Sequence, residues 1–406
     1  MDRLPSSQLL VAPEHDLVSI LRSFLQRGMT VALGDGVGAV RCLDDGLPIC
    51  SAISRVAADV GSIGLILGWL PGALEGLDTA AFADIVALMP GWGMRDVLRS
   101  PKARFVPTSL ASIPGLLAGP LRPSVLITRL VERDGLLYFG TEVSWQREVI
   151  DAGVPVLAFI DTVAPAASAE APLDPGRVRV VGRTDDGPIA LRPKEPAPVH
   201  NALAERVLHF VPAGARLQYG PGQLGTALLR QVQVPLRIDT GLLTDAVVEL
   251  DQRGLLVGEP AATYLIGSEV LYEWAEGRRI LRGIDYTHDL IRLSRGEPFV
   301  AVNTAIEIDP AGQINVEGVG DRVVGGIGGH PDFCVAGRMS RGGLSIIAVP
   351  SCFNGRSPLV AQLSRPASTP AHDVDLIVTE AGHADLRGAS WSQRRQLIGE
   401  LFGRVD

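Results

Sequence analysis

Residues 16–38, DLVSILRSFLQRGMTVALGDGVG, and residues 201–225, NALAERVLHFVPAGARLQYGPGQLG, open two halves of the chain in the same way. Gly28 matches Gly214, Gly34 matches Gly220 and Gly36 matches Gly222, all at one constant offset. Each copy reads as amphipathic helix, glycine, strand, glycine-rich turn and helix. Leu203, Val207, Leu208 and Val211 fall at helical spacing, and Gly214 predicts the stop. A repeat this long is no solenoid unit; it predicts duplicated α/β domains. Thr184 to Pro198 carries Pro188, Pro193, Pro196 and Pro198 and reads as linker. Domain 1 is therefore expected at residues 1–190 and domain 2 at 200–406. Short apolar runs fit the scheme: VLITRLV, VPVLAFID and VRVVG in the first half, SIIAVPS and VDLIVTE in the second. Separated by helical or Gly/Pro stretches, they predict open, largely parallel sheets.

The 406 residues exceed one average domain. With 46% hydrophobic and 20% charged residues the chain is ordinary for a globular protein with a large core. The net charge of −8 has no compensating basic block, which argues against nucleic acid as a partner. Cys42, Cys50, Cys334 and Cys352 form neither a disulfide framework nor a CxxC pair, so no structural metal is expected. The N-terminus lacks a basic start followed by an apolar run, and glycines and Pro71 break the uncharged stretch Val60 to Leu74. A cytoplasmic protein without membrane partners is the expectation.

Four stretches could carry chemistry. Gly220-Pro-Gly222-Gln223-Leu-Gly225 matches GxGxxG, with Asp239 near the distance of a ribose-binding acid. A phosphate-facing turn and a purely structural turn both fit it. Gly318 to Gly343 contains nine glycines, a backbone-entropy cost that suggests amides presented to a carbonyl or phosphate oxygen. Alternation through Val302, Thr304, Ile306 and Ile308 predicts a strand, with Asn303 and Glu307 on its other, solvated face. In LRIDTGLLTDAVVEL, Thr244 or Asp245 could cap a helix, and Asp239 and Thr240 sit at a strand end beside Gly241. Of seven histidines His288 and His330 stand out, His330 because it lies inside the glycine stretch. No GxSxG elbow or HExxH spacing occurs.

Taken together, these stretches resemble the acetyl-CoA hydrolase/transferase family, which includes 4-hydroxybutyrate CoA-transferases. LQYGPGQLGTAL resembles the family's LQxGxGxxPxA, GSEVLYEW its GSxxLYxF, and VNTAIEIDPAGQIN its VNSALEVDLTGQVN. GIGGHPDFCVAGRMSRGGLSIIAVPS, VDLIVTEAGHADLRG and VERDGLLYFG have counterparts as well, in the same order. The resemblance implies two similar open-sheet α/β domains of CoA-transferase type with the active site between them. It implies acyl-CoA as the small-molecule substrate and coenzyme A as the group carried, with no metal, in a homodimer. It puts Gly220, Gly222, Gln223, Thr240, Gly241, Gly326, Gly328 and Gly329 along the coenzyme A and acyl site. Gly328 or Gly329 would offer the oxyanion amide, and Asn303 would lie near the thioester.

The departures carry the functional expectation. The family reads IHTEMISDG where this chain reads Ile238 to Ala246, so Gly241 stands where the family's glutamate forms a glutamyl-CoA thioester. The neighbouring histidine is Asp239, the glutamine of GGQ is His330, and the tyrosine of TEYG is Ala381. These changes predict a hydrolase that activates water, with Asp239, His330 or Glu142 as base and Glu148 as a further candidate. It would cleave a thioester or, as in ring-opening hydrolases of steroid breakdown that share the fold, a carbon–carbon bond. The alternatives are a CoA-transferase with a relocated nucleophile and a non-catalytic protein that binds coenzyme A.

Overall fold

In each half the first strand of the repeat lies inside an open parallel sheet. The computed structural model describes residues 17–43 and 46–403. They divide into two compact units. The first comprises residues up to Thr108, Ser112–Ala190 and Ala275–Gly283; the second comprises Ser109–Ala111, Leu191–Trp274 and the residues from Ile284 onward. Residues 275–283, expected in the second domain, group with the first. The reason is backbone pairing, since Ile280 and Leu281 both donate to the Ala167 carbonyl and Gly277 donates to Ala166.

The first unit holds strands β1 (Thr30–Leu33), β2 (Gly64–Leu67), β3 (Asp84–Ala87), β4 (Ala103–Phe105), β5 (Val125–Arg133), β6 (Leu136–Tyr138), β7 (Val156–Asp161) and β8 (Val178–Thr184). They run β4-β3-β2-β1-β5-β7-β8, parallel throughout, with β6 antiparallel on β5. Helices α1 (Leu17–Phe24) and α2 (Ile49–Val60) bury Leu21, Ile53 and Val56 against Val31, Leu65 and Ile85. Burial on both faces explains the continuous apolar runs of these strands.

The second unit holds α3 (Pro198–Leu208), β9 (Arg216–Tyr219), α4 (Gln223–Gln231), β10 (Arg237–Ile238), α5 (Ile284–Thr287), α6 (Leu290–Ser294), β11 (Phe299–Asn303), α7 (His330–Met339), β12 (Leu344–Ala348), β13 (Leu376–Val378) and β14 (His383–Asp385). The sheet order is β10-β9-β11-β12-β13-β14, parallel except for β14.

Several local expectations are corrected. α3 ends at Leu208, six residues before Gly214; that glycine (φ +78°) instead makes the turn into β9. No helix follows GDGVG directly: Cys42 bridges to Pro48 and α2 begins at Ile49, whereas α4 starts at Gln223 at once. The strand expected through Ile308 stops at Asn303. Glu307 and Ile308 form a separate short ribbon with Ile314 and Asn315. Asn303 and Glu307 are buried, not solvated. Glu307 accepts hydrogen bonds from Asn315 Nδ2 (2.7 Å) and the Ser364 amide (2.9 Å). Asp245 occupies the position before the helix Ala246–Gln252, but its carboxylate turns away to Ser268, whose hydroxyl donates at 2.7 Å.

Two glycines with unlike surroundings test this packing. A Cβ on Gly225, in the first turn of α4, would lie 2.3 Å from the Gly220 carbonyl oxygen, so the helix could not seat under its turn. Gly399, inside the C-terminal helix Trp391–Phe402, has open space there. Chemical denaturation is expected to show Gly225→Ala destabilised by about 1–3 kcal/mol and Gly399→Ala stabilised by about 0.5–1 kcal/mol.

Candidate functional site

In the first unit, the turn after β1 is shaped by a carboxyl group. Glu142, in the stretch after β6, is buried. Its Oε2 accepts from the Gly38 amide (3.1 Å) and the Thr141 hydroxyl (2.9 Å). A Cβ on Gly36 would come within 2.3 Å of Glu142 Oε2, and one on Gly38 within 2.4 Å of Oε1. Gly34 is equally confined, by Gln146 and Thr128. The GDGVG glycines therefore make room for side chains of their own unit. Burial raises the Glu142 pKa to about 7; the Gly38 and Thr141 hydrogen bonds and the Arg129 charge oppose the rise, and Asp35 adds to it. Arg129 is itself held against Asp161 at 3.2 Å, both side chains inaccessible. Glu148 lies further on, in the helix Gln146–Asp151.

The second unit treats its candidates differently. Asp239 follows β10, and both its oxygens are taken by Arg292, at 2.7 and 2.8 Å, with Arg216 at 3.4 Å. A carboxylate gripped by two guanidinium groups anchors α6 to the sheet. His330 opens α7 with both ring nitrogens engaged: Nδ1 lies 2.7 Å from Thr369 Oγ1 and Nε2 lies 3.0 Å from the Thr304 carbonyl. Burial lowers its pKa to about 4, so the ring is neutral and committed to the fold. This geometry argues against a proton-transfer role for Asp239 or His330. Thr240 is inaccessible and donates to the Tyr219 carbonyl at 3.0 Å. Gln223 accepts from the Ala197 amide, and Asn303 exchanges hydrogen bonds with Gln218 (3.2 and 3.4 Å).

The glycine positions divide by what lies beside them. Gly220 and Gly222 face open space where a side chain would stand, as does Gly328. Gly326 lies in the irregular stretch before them. The Gly328 carbonyl accepts from the Leu110 amide, and the Gly329 carbonyl from Phe333. The amides of Gly328 and Gly329 precede α7, whose N-terminal dipole favours negative charge.

Gly241 and Gly329 converge on one pair of rings. A Cβ on Gly329 would fall 2.4 Å from His288 Nε2 and 2.7 Å from Phe333; one on Gly241 would sit 3.6 Å from the same nitrogen and 3.5 Å from Phe333. The two rings stack with centroids 4.6 Å apart. No sequence spacing revealed this cluster, because Gly241, His288 and Gly329 come from three separate segments. Among the described residues no group of three His, Cys, Asp or Glu side chains could hold a metal ion, and no helix is long and apolar enough to cross a membrane. A cavity of about 300 Å3 in the first unit is lined by Thr30, Gly64 and Asp84, the first residues of β1, β2 and β3. Ligands of open parallel sheets bind at the opposite, carboxyl ends.

Comparison with known proteins agrees with the resemblance read from the sequence. Residues 267–400 match the acetyl-CoA hydrolase/transferase C-terminal domain. A 4-hydroxybutyrate coenzyme A transferase of Clostridium kluyveri is 24% identical over 331 residues, 77% of each chain. An acetyl-CoA hydrolase of Candida albicans is 26% identical over 58% of this chain and 49% of its own length. The crystal structure of RipA from Yersinia pestis superposes with a TM-score of 0.84 at 22% identity, covering 94% of this chain and 92% of that one. The last likeness concerns the fold.

The ring cluster sets a clear contrast between two alanine substitutions. Gly241→Ala places its methyl at ordinary contact distance on an unstrained backbone, and its unfolding free energy is expected to change by less than about 1 kcal/mol. Gly329→Ala drives a methyl into the imidazole and is expected to cost about 1–3 kcal/mol. Urea melts of both variants check this.

Proposed function

Because the chain carries the acetyl-CoA hydrolase/transferase C-terminal domain and is related to proteins named for both activities, we propose that it processes acyl-CoA thioesters, and as a hydrolase. The observation that carries the choice is glycine at 241. In the family it resembles, a glutamate there attacks the acyl group. Here the position has no side chain and the nearest neighbours are rings. Without a carboxylate nucleophile the acyl group passes directly to water.

In this reading the water oxygen adds to the thioester carbonyl carbon and its proton goes to a base. The carbon–sulfur bond then breaks, and the coenzyme A thiolate leaves and takes up a proton. Glu142 is the base of choice. Its carboxyl changes charge near neutral pH, which suits a group that must accept and release a proton in each cycle. Asp239 and His330 are left with structural roles. The Gly328 and Gly329 amides at the head of α7 would receive the charge developing on the carbonyl oxygen. The open faces of Gly220 and Gly222 would let the coenzyme A backbone approach the turn after β9. Binding of coenzyme A as part of the substrate needs no metal in this scheme.

Free thiol released from a panel of acyl-CoA esters, with and without acetate, tests the proposal. Paired with it is intact-mass measurement after borohydride, which traps a protein-bound thioester. Acetate-independent release without an adduct is expected; acetate-dependent transfer with an adduct would overturn it in favour of a relocated nucleophile.

Glu142→Gln is expected to lower kcat by about 10²–10⁴-fold, and the wild-type kcat/KM should rise with pH and level off above about 7. Linkage gives a second signature. The folded pKa lies above the unfolded one, so the stabilisation is complete at acid pH and is lost as pH rises from the unfolded pKa toward about 7. Glu142→Gln, which stays neutral, should therefore be more stable than the wild type at pH 8, by about 1–3 kcal/mol. That gap should close by pH 5 in thermal melts.

A further inference from the structure

His288 is a buried polar group that the assignments above leave unused. It follows α5, is 2% exposed, and lies between the two glycine backbones with its ring on Phe333. Its Nδ1 is 2.9 Å from Thr287 Oγ1. Its Nε2 has no hydrogen-bond partner among the described residues. A buried donor or acceptor left unmatched is destabilising, and a leucine or phenylalanine in this apolar slot would carry no such cost. The orphaned nitrogen is also aimed: it is 3.6 Å from the point where a side chain on residue 241 would begin, and it is the nearest side-chain atom above the Gly329 α-carbon.

We propose that His288 is a catalytic residue that binds the acyl group, its Nε2–H donating to the thioester carbonyl oxygen lodged beside Gly241 and Gly329. This rests on the acyl-CoA reading. The role requires the tautomer in which the Thr287 hydroxyl donates to Nδ1 and the single proton of the neutral ring sits on Nε2. Burial, reinforced by the nearby Arg292 charge, lowers the pKa to about 3 and keeps the ring neutral at any working pH. Such a ring is a poor proton acceptor and a fixed donor. As water adds to the carbonyl carbon, the π pair of the C=O bond moves onto oxygen, and the Nε2–H and the glycine amides meet that charge. The proton from water goes elsewhere, and His288 keeps its own throughout. The donor occupies the space beside residue 241 that a carboxylate would otherwise need.

The test separates binding of the carbonyl from binding of coenzyme A. The probe is a ketone analogue of acetyl-CoA in which a methylene replaces the sulfur, which keeps the carbonyl but cannot be hydrolysed. Its dissociation constant and that of free coenzyme A are measured by calorimetry on the full chain and on His288→Leu. Weakening for the ketone by about tenfold or more, with free coenzyme A within about twofold, is expected. His288→Phe, which preserves the stack on Phe333, is used if leucine disturbs the thermal melt. His288→Gln, whose amide N–H reaches about as far as Nε2, should restore ketone binding and keep turnover far above that of His288→Leu. The leucine variant should lose about 10²–10³-fold in kcat. If the leucine and phenylalanine variants bind the ketone as the wild type does, the proposal is overturned while the acyl-CoA reading stands. If the wild type binds neither ketone nor coenzyme A, the acyl-CoA reading itself fails and takes this role with it.

Discussion

Both repeat strands lead into a segment where the packing leaves no room for a Cβ at one glycine or more. In the first unit that space is claimed from within, by the Glu142 carboxyl against Gly36 and Gly38. In the second, only Gly225 is confined, under the Gly220 carbonyl, while Gly220 and Gly222 face outward. The same spacing of glycines thus serves two purposes, one enclosing a titratable group and the other exposing main chain at the carboxyl end of a strand. A helix follows the second turn at once, and the first only after a bridge and Pro48.

The buried ionisable groups around these turns differ in what they have left to give. Asp239 is neutralised by Arg292 and Arg216, and His330 is held at both nitrogens. Groups satisfied in this way specify the position of their elements. Glu142 is stabilised by an amide and a hydroxyl, yet burial outweighs them. Among the described residues, His288 has a hydrogen-bond partner at one nitrogen and none at the other. Residual capacity, more than residue type, is what the proposed roles of Glu142 and His288 rest on.

The sheets were legible because strands covered on both faces must be apolar along their whole length, as VLITRLV and VPVLAFID are. The family resemblance was legible because several motifs fell in one order. Tertiary pairing was not. Asp239 looked like a base because the sequence cannot display Arg292, 53 positions away, donating to both of its oxygens. His330 drew attention by lying among glycines, whereas its nitrogens are answered by Thr369 and Thr304. Alternation through Ile308 suggested one strand, but the chain breaks after Asn303 so that Glu307 can meet Asn315 and Ser364. The role of His288 depends on two backbones approaching it from distant segments, and no periodicity records that.

Gly241 has a consequence for how such a protein can change. Its backbone does not require glycine, and a first carbon fits, so the main chain itself would accept a side chain such as glutamate. What stands in the way is the pair of rings beyond that carbon, His288 and Phe333. A longer side chain at 241 would have to share its surroundings with both rings. In the proposed reading, residue 241 and the ring beside it would have to be exchanged together before a covalent nucleophile could work there.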